Sequence, residues 1–481
     1  MYTKIAHAIP PFEGKPMINA PAVYGAASKK PFLWRLPVTG ERPMVFTAES
    51  LPTGLSIDTA SGIISGAVES DGEYEITVSA QNSCGTAAKK IKLMIGKNMV
   101  CRTPLLGWTS WNAFMQHVSH EKITDVARIL VETGLADHGF QYVNIDSGWQ
   151  GLYGGEHYAV MASPLFPDMK ATVDKIHSYG LKAGIYSTPM QKAWGGTEAP
   201  GCTTDWLDPR YNNTYFGIGV THREAANVAQ WCDWGFDYLK YDWSPSDLDN
   251  AKLMKDALED SPRDFAFCVT TSATWEGREW WAKNCTSWRA NCDSADNWPN
   301  LLSRFESGAE KWQEFVNPGH YFDQDMLELG TIISGPCRLT PDEQIVSFTI
   351  RVIFPSPIQL SCDLTKLTEF ELDMFSNEEV LAVNQDELGA NAVCIDHHIH
   401  NTTDGETTTS LFTKLYVKPL ADGSYAAAFF NLGECEAVME LPEKYGTHAR
   451  DLWSKEDLPY SNNALSFTLP PHTVKLLKVT K

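Results

Sequence analysis

Hydrophobic and polar positions alternate with a period of two over the first hundred residues of the chain. The alternation is strict over residues 74–80 and looser over residues 90–95, and glycines interrupt it at hairpin distances. Alternation of this kind is typical of strands that bury one face and expose the other. We therefore predict a small β-sandwich over residues 1–98.

Strand and helix patterns then follow one another over residues 99–390. Short apolar runs at 182–186 and 238–242 are typical of buried strands, and the segments 168–180 and 224–235 have helical periodicity. Repeated βα units over roughly 290 residues predict a (β/α)8 TIM barrel of the α/β class. A doubly wound sheet is the alternative, but no glycine-rich phosphate loop follows any strand.

The last part of the chain, residues 391–481, returns to the β pattern. Residues 424–432 and 465–469 predict strands of a closing antiparallel β domain. Three domains also suit a length of 481 residues, at roughly 150 residues per domain.

Composition and charge narrow the class of ligand. Lys and Arg number 39 against 60 Asp and Glu, a net charge of −21, which argues against nucleic-acid and anionic-membrane partners. The chain also has 16 Trp, 17 Tyr and 21 Phe. Aromatic faces together with carboxylates suit a neutral sugar, although most of these aromatic residues serve the core.

The cysteines and the N-terminus bear on the compartment. Eleven Cys occur without any CxxC pair, so we expect free thiols rather than a disulfide framework or a zinc site. The first residues lack a signal-peptide apolar core, and no apolar run reaches the ~20 residues of a membrane helix. We expect a cytoplasmic protein, although a secreted protein trimmed of its signal would look the same.

Carboxylates follow several of the predicted barrel strands. Asp146 and Asp242 end two of these strands, Asp293 comes shortly after a third, and Asp323 and Asp325 lie in a loop-like stretch. Barrel enzymes place their working residues at these strand ends. A buried carboxylate without a partner costs free energy, so several together indicate a shared polar pocket. Single ones also serve as caps of the helices that follow.

Two carboxylates on a barrel rim suggest glycoside hydrolysis, in which one stays ionised and the other delivers a proton. Lys240 lies two residues before Asp242 on the same strand, so both side chains point to one face. A cation at this position would keep Asp242 ionised, as a nucleophile needs. A purely structural ion pair inside the barrel is the other interpretation.

Several longer motifs resemble glycoside hydrolase family 27, the α-galactosidase and α-N-acetylgalactosaminidase family. They include GWTSWN from Gly107, YVNIDSGW from Tyr142, DYLKYD from Asp237, WRANCDSADNW from Trp288 and DQDML from Asp323. These motifs recur in family order over residues 103–390, and the resemblance implies a barrel followed by an antiparallel β domain. The segment 51–66 resembles the immunoglobulin-like modules of many bacterial surface and carbohydrate-active proteins.

The resemblance also implies roles for particular residues. Asp242 matches the family nucleophile, Asp293 the acid/base, Trp111 the aromatic wall of the sugar pocket and Asp146 a carboxylate that binds the 4-hydroxyl. Other pocket positions are matched by Tyr186, Lys240, Arg289 and Asp325. Family members retain anomeric configuration through a glycosyl-enzyme ester, and no metal or organic cofactor is implied.

Five positions, in three groups, depart from the family pattern. Ser147 stands where α-galactosidases usually carry a second Asp that holds the 4- and 6-hydroxyls, so a sugar that lacks the 6-carbon group, β-L-arabinopyranose, would lose little. Thr270 aligns with a glutamate that binds the 2-hydroxyl, and Ala273 with a larger neighbour. Small residues there resemble the α-N-acetylgalactosaminidases. Ser244 and Val269 replace the cysteines of a disulfide in eukaryotic members, which supports a reducing compartment.

These observations predict a retaining exo-glycosidase of the α-galactosidase type, acting on an oligosaccharide or glycoside. β-L-Arabinopyranosidase and α-N-acetylgalactosaminidase activity are the alternatives on the same scaffold. A non-catalytic sugar-binding protein is the alternative of another class, although the presence of both catalytic Asp counts against it. The N-terminal module is interpreted as a spacer or as packing for the barrel, with glycan binding as the other option.

Overall fold

The computed structural model of the protein describes residues 1–7, 11–194, 199–271, 273–404, 407–458 and 465–481. Its strands form an N-terminal sandwich, a central parallel sheet and a C-terminal antiparallel pair of sheets. The predicted fold class, a TIM barrel between two β domains, is confirmed.

The N-terminal sandwich consists of a four-stranded sheet, β2-β9-β8-β5, a three-stranded sheet, β3-β7-β6, and the pair β1-β4. Trp34, Phe46, Ile76 and Leu93 are buried between the sheets, as the period-two alternation predicts. The strands are β1 Met17–Ile18, β2 Val23–Ala26, β3 Phe32–Arg35, β4 Val38–Thr39, β5 Val45–Glu49, β6 Leu55–Ile57, β7 Ile63–Gly66, β8 Gly72–Asn82 and β9 Gly85–Ile95.

The central sheet has eight parallel strands in the order β20-β19-β18-β17-β14-β11-β10-β23. Leu327, beyond β20, forms a parallel bridge with Leu360 of β23, which brings the two ends of the sheet together. The strands of this region are β10 Leu106–Thr109, β11 Tyr142–Ile145, β12 Gln150–Gly154, β13 Ala159–Ala162, β14 Lys182–Ser187, β15 Thr203–Leu207, β16 Gly219–His222, β17 Tyr238–Asp242, β18 Ala266–Thr270, β19 Ser287–Trp288, β20 Tyr321–Phe322, β21 Thr331–Ile332, β22 Gly335–Pro336 and β23 Ile358–Leu360.

Helices connect the parallel strands, and their ends follow local capping chemistry. The Asp168 side chain accepts a hydrogen bond from the Ala171 amide and begins α3, while Gly235 ends α4 in the left-handed region at φ 98°. The helices are α1 Trp111–Phe114, α2 His120–Glu132, α3 Met169–Ser178, α4 Glu224–Trp234, α5 Leu248–Glu259, α6 Arg278–Asn284, α7 Trp298–Ser303, α8 Pro341–Ile353, α9 Glu369–Phe375 and α10 Glu378–Asn384. Within the described residues, no helix combines the length and the hydrophobicity that crossing a membrane requires.

The C-terminal domain packs a six-stranded sheet, β24-β25-β26-β31-β28-β29, and the pair β27-β30. One face of the large sheet joins the barrel core through Tyr416 and Phe430, and Trp453, in the turn between β28 and β29, packs into the same core. The strands are β24 Val393–Asp404, β25 Thr407–Pro419, β26 Tyr425–Asn431, β27 Ala437–Leu441, β28 His448–Asp451, β29 Glu456–Leu458, β30 Leu465–Leu469 and β31 Thr473–Thr480.

Buried charge joins the N-terminal sandwich to the barrel. Asp137 follows α2, and its carboxylate receives Arg35 at 2.9 Å and Arg42 at 2.8 Å, both from the sandwich. The Asp137 side chain is 1% exposed, so the carboxylate is sealed from solvent, while the Arg42 side chain is 30% exposed. All eleven cysteines are free thiols, as the sequence predicts.

Candidate active site

A cavity of about 540 Å³ opens at the carboxyl ends of the parallel strands. Its walls come from the ends of β10, β11, β14, β17, β18 and β19 and from the loops that follow them. Barrel enzymes hold their chemistry in this region. The residues that line it are Trp111, Asp146, Tyr186, Trp194, Asn213, Tyr215, Asp242, Ser244, Pro245, Thr271, Cys292 and Asp293.

Five of the ten residues named from the sequence line this cavity directly: Trp111, Asp146, Tyr186, Asp242 and Asp293. The remaining five are buried beside it and contact the lining residues or the loops that carry them. They are Ser147, Lys240, Thr270, Arg289 and Asp325. The sequence therefore identifies one cluster, but only half of its members face the open space.

Asp242 ends β17 and is 8% exposed. Its Oδ1 accepts no hydrogen bond from the part of the chain that the structure describes. Burial raises the pKa of this carboxyl to about 6, and the cations Lys240 and Arg289 act in the opposite direction. The group is thus largely ionised at neutral pH while it holds few hydrogen bonds, as a nucleophile requires.

Lys240 donates to Asp146 Oδ2 at 2.7 Å, so its direct partner differs from the Asp242 that its strand position suggests. Thr109 donates to the same oxygen at 3.2 Å, and the Ser147 amide donates to Oδ1 at 2.8 Å. Lys240 does lower the pKa of Asp242, but burial outweighs it. Lys240 therefore favours the ionised form of Asp242, as the sequence predicts, while its direct hydrogen-bond partner is Asp146.

Asp293 stands at the rim with its side chain 77% exposed. Arg289, which is 2% exposed, donates to Asp293 Oδ1 at 2.9 Å. The same guanidinium forms an ion pair with Asp325 Oδ2 at 3.3 Å. One buried cation therefore fixes an exposed carboxylate next to the cavity, and a carboxyl that meets solvent can exchange protons with water.

Arg289 also contacts the two threonines at the end of β18. Its Nε donates to Thr270 Oγ1 at 2.7 Å, and its Nη2 donates to Thr271 Oγ1 at 2.7 Å. Thr271 adopts a positive φ of 65°, where the chain leaves β18 and turns. Thr271 lines the cavity, whereas Thr270, the residue expected to do so, lies behind it. The sequence resemblance places Thr270 in the pocket, one residue before the threonine that lines it, because a sequence does not show this turn.

Asp325 supports the wall from behind. It has a positive φ of 71° and accepts the Ser294 amide on Oδ2 at 2.6 Å. Burial alone would raise the pKa of this carboxyl, but Arg289, Arg304 and Lys240 outweigh burial and hold it well below its ordinary value. Asp325 is thus a fixed anion that balances the cations around the site.

Ser147 is buried, and its hydroxyl donates to the main-chain carbonyl of Trp194. Trp194 lines the cavity and lies 4.5 Å from Tyr215 between ring centroids. Sequence reasoning missed both aromatic residues, because they lie in a long loop without periodicity. The one available signal was their type: aromatic residues in a loop between two barrel elements.

Cys292, Asn213 and Pro245 also line the cavity and were missed. Cys292 precedes Asp293 and is exposed. Its position beside the candidate acid/base was the only signal that the sequence offered.

Comparison with known proteins decides the family. A family model described as Alpha galactosidase A matches residues 103–386, one described as Alpha galactosidase C-terminal beta sandwich domain matches residues 413–479, and an immunoglobulin-domain model matches residues 15–96. The chain belongs to glycoside hydrolase family 27. It is a glycoside hydrolase of the α-galactosidase type.

Individual members of family 27 agree with this assignment. Alpha-galactosidase 2 of Arabidopsis thaliana is 28% identical over 401 residues, which cover 81% of this chain and 92% of that protein. A Bacteroides fragilis structure, provisionally described as an alpha-galactosidase/melibiase, is 28% identical, covers 98% of this chain and 99% of its own, and superposes with a TM-score of 0.84. A family 27 β-L-arabinopyranosidase from Geobacillus stearothermophilus shares the fold at a TM-score of 0.65 and 24% identity, covering 79% of this chain and 97% of its own.

Proposed function

We propose that the protein removes a terminal α-D-galactosyl or closely related residue from an oligosaccharide, with retention of configuration. The observation that carries the proposal is the contrast between two carboxylates in one cavity: Asp242 is 8% exposed, and the side chain of Asp293 is 77% exposed. Retaining glycosidases need such a pair, with one group as nucleophile and the other as acid and then base.

The reaction follows in two steps. The ionised carboxylate of Asp242 attacks the anomeric carbon while Asp293 donates its proton to the glycosidic oxygen, so the bond to the leaving group breaks and a glycosyl ester forms. Asp293, now ionised, takes a proton from water. The oxygen of that water attacks the same carbon, which releases the sugar and restores Asp242.

The buried pair of Asp146 and Lys240 supplies an acceptor and a cation at the end of β11 and β17. These groups suit the hydroxyls of a terminal pyranose, and Trp111 supplies an aromatic wall beside them. Ser147 and Thr270 act through the loop of Trp194 and through Arg289, as positioning residues.

β-L-Arabinopyranose is a second candidate for the terminal sugar, and Ser147 favours it. Its hydroxyl is engaged by the Trp194 carbonyl, so it offers neither charge nor a free donor to a 6-hydroxyl. A charge-assisted contact that is absent here is often worth ~1.5–3 kcal/mol. α-N-Acetylgalactosamine is a third candidate, since Thr271 rather than a larger acid lines the wall after β18.

A panel of aryl glycosides of α-galactose, β-L-arabinopyranose and α-N-acetylgalactosamine tests the substrate. Asp293→Ala tests the mechanism, because it should slow poor leaving groups most, and azide should restore turnover of an activated glycoside as a glycosyl azide of retained configuration. The matched control is Glu279→Ala, which removes an exposed carboxylate in the first turn of α6. An inverted azide product, or an equal loss for good and poor leaving groups, would refute the retaining assignment.

We also propose the domain boundaries 1–98, 99–390 and 391–481. Support comes from β9, which ends at Ile95, from β10, which begins at Leu106, and from β24, which begins at Val393. A reducing compartment such as the cytoplasm of a bacterium is proposed as well, supported by eleven free thiols.

A further inference from the structure

The chain between β14 and α4 carries a cluster of aromatic residues. Trp194, Tyr215 and Phe216 contact one another, with ring centroids 4.5 Å apart for Trp194 and Tyr215, 5.1 Å for Trp194 and Phe216, and 4.8 Å for Tyr215 and Phe216. Tyr215 is nevertheless 70% exposed. The other two rings therefore hold an aromatic face towards solvent in a fixed orientation.

This face is part of the catalytic cavity. Trp194 and Tyr215 line it together with Asp242 and Asp293. Asp293 is the exposed member of the carboxylate pair, and an acid that protonates the glycosidic oxygen must lie on the side of the leaving group. The leaving group therefore occupies the solvent side of the cavity, where Tyr215 is exposed.

We propose that Tyr215, supported by Trp194, forms a leaving-group subsite that binds the pyranose ring of the second sugar. This inference rests on the proposed function and extends it to the residues that bind the second sugar of the oligosaccharide. The C–H face of a pyranose is apolar and its edge is polar, which suits an amphipathic tyrosine ring.

The anchoring of the loop supports a positioned subsite. Ser147, next to the Asp146 that is expected to hold the terminal sugar, donates its hydroxyl to the Trp194 carbonyl. The terminal-sugar site and the aromatic face are thus connected by one hydrogen bond. Trp206, on β15 of the same loop, is 84% exposed and lies outside the cavity lining. It therefore provides a matched aromatic control.

The test compares two substrates that differ only in the leaving group. The glycosyl fluoride has no second ring, and the disaccharide carries one; both contain the terminal sugar selected by the aryl-glycoside panel. Tyr215→Ala should lower kcat/KM for the disaccharide about tenfold more than for the fluoride, mainly through KM, because a binding contact is lost. Tyr215→Phe should retain most of the disaccharide activity, and Trp206→Ala should change neither substrate.

An equal loss on both substrates, or no loss on the disaccharide, would overturn the subsite while leaving the glycosidase activity in place. If the wild type cleaves no member of the panel, the proposed function fails, and calorimetric titration with melibiose and with galactose then tests the subsite by itself. Weaker binding of melibiose by Tyr215→Ala, with galactose affected less, supports the subsite. Equal affinities for melibiose in variant and wild type refute it.

Discussion

The Lys240 ammonium donates to Asp146 Oδ2 at 2.7 Å inside the barrel, with Asp242 two residues further along the same strand. This one cation therefore serves two carboxylates: it pairs with the first and lowers the pKa of the second. Burial nevertheless dominates at Asp242 and raises its pKa to about 6. The balance between burial and Lys240 gives a direct prediction for the pH dependence.

Replacing Lys240 by Met should raise the pH at which activity falls on the acid side. In the wild type, kcat/KM should decline below about pH 6 as Asp242 takes up a proton. Lys240→Met removes a charge that opposes this protonation, so the acid limb of the profile, where kcat/KM falls with decreasing pH, should move to higher pH. The maximum rate should also fall. The pH profile of kcat/KM measures this shift. The control is Lys170→Met, which removes an exposed cation on α3 and should leave the acid limb where it is. An acid limb that does not move in Lys240→Met would contradict the prediction.

Asp242→Asn should lower kcat/KM by several orders of magnitude and should stabilise the fold. The folded-state pKa of about 6 lies above the ordinary value of 3.8, so ionisation disfavours the folded state increasingly as the pH rises through 6. At pH 7 the neutral amide should therefore raise the free energy of unfolding by on the order of 2 kcal/mol. Melting temperatures at pH 5 and pH 7.5 measure the effect, which should be larger at pH 7.5.

The contrasting control is Asp237, a buried carboxylate paired with His177 at 2.8 Å and Arg263 at 2.7 Å. Burial would raise its pKa, but His177, Lys182 and Arg263 outweigh burial and lower the pKa. Asp237→Asn should therefore destabilise the protein at pH 7. If both Asn variants melt below the wild type, the stabilising prediction for Asp242 is wrong.

Two substitutions at Ser147 separate its contact with Trp194 from any contact with sugar. Ser147→Ala removes the hydrogen bond to the Trp194 carbonyl, so the activities on α-galactoside and β-L-arabinopyranoside should fall in the same proportion. Ser147→Asp introduces a charge, and the ratio of the two kcat/KM values should move towards galactose by up to about tenfold. A ratio that changes in Ser147→Ala would show that the serine hydroxyl itself contacts the sugar.

A small uncharged thiol reagent should inactivate the enzyme through Cys292. This thiol is exposed, lines the cavity and precedes Asp293, so a methylthio group added there would occupy space near the anomeric centre. Inactivation by methyl methanethiosulfonate should be slowed by the sugar product and abolished in Cys292→Ala. Cys84, exposed on the N-terminal sandwich, should be labelled in both proteins without effect. Equal inactivation of Cys292→Ala would assign the loss to another thiol.

The sequence predicts the parts of the site that follow regular structure. Asp146 and Asp242 could be located because parallel strands end at one edge, and because short apolar runs mark such strands clearly. Loop geometry carries no such signal. The positive φ of Thr271 brings its side chain, and not that of Thr270, to the wall. Trp194 and Tyr215 meet only after their loop folds, and no periodicity connects them.

Charge networks are equally hidden in the sequence. Arg289 contacts groups from β18, from its own loop and from the segment after β20. Its role as a common support depends on three-dimensional proximity, since the residues it contacts are up to 36 positions away. A motif identifies such an arginine as part of a pocket, but only the structure shows that it fixes the acid/base and lies behind the lining.

The pairing of Arg35 and Arg42 with the sealed carboxylate of Asp137 sets a limit on how this enzyme can be shortened. A fragment that begins at the barrel would lack both cations and would open the Asp137 carboxylate, now 1% exposed, to water. The amino-terminal sandwich is thus packed against the hydrolase barrel through specific ion pairs and is not a loosely tethered module. In a lineage that carries this interface, loss of the sandwich would turn a covered, paired aspartate into a surface acid.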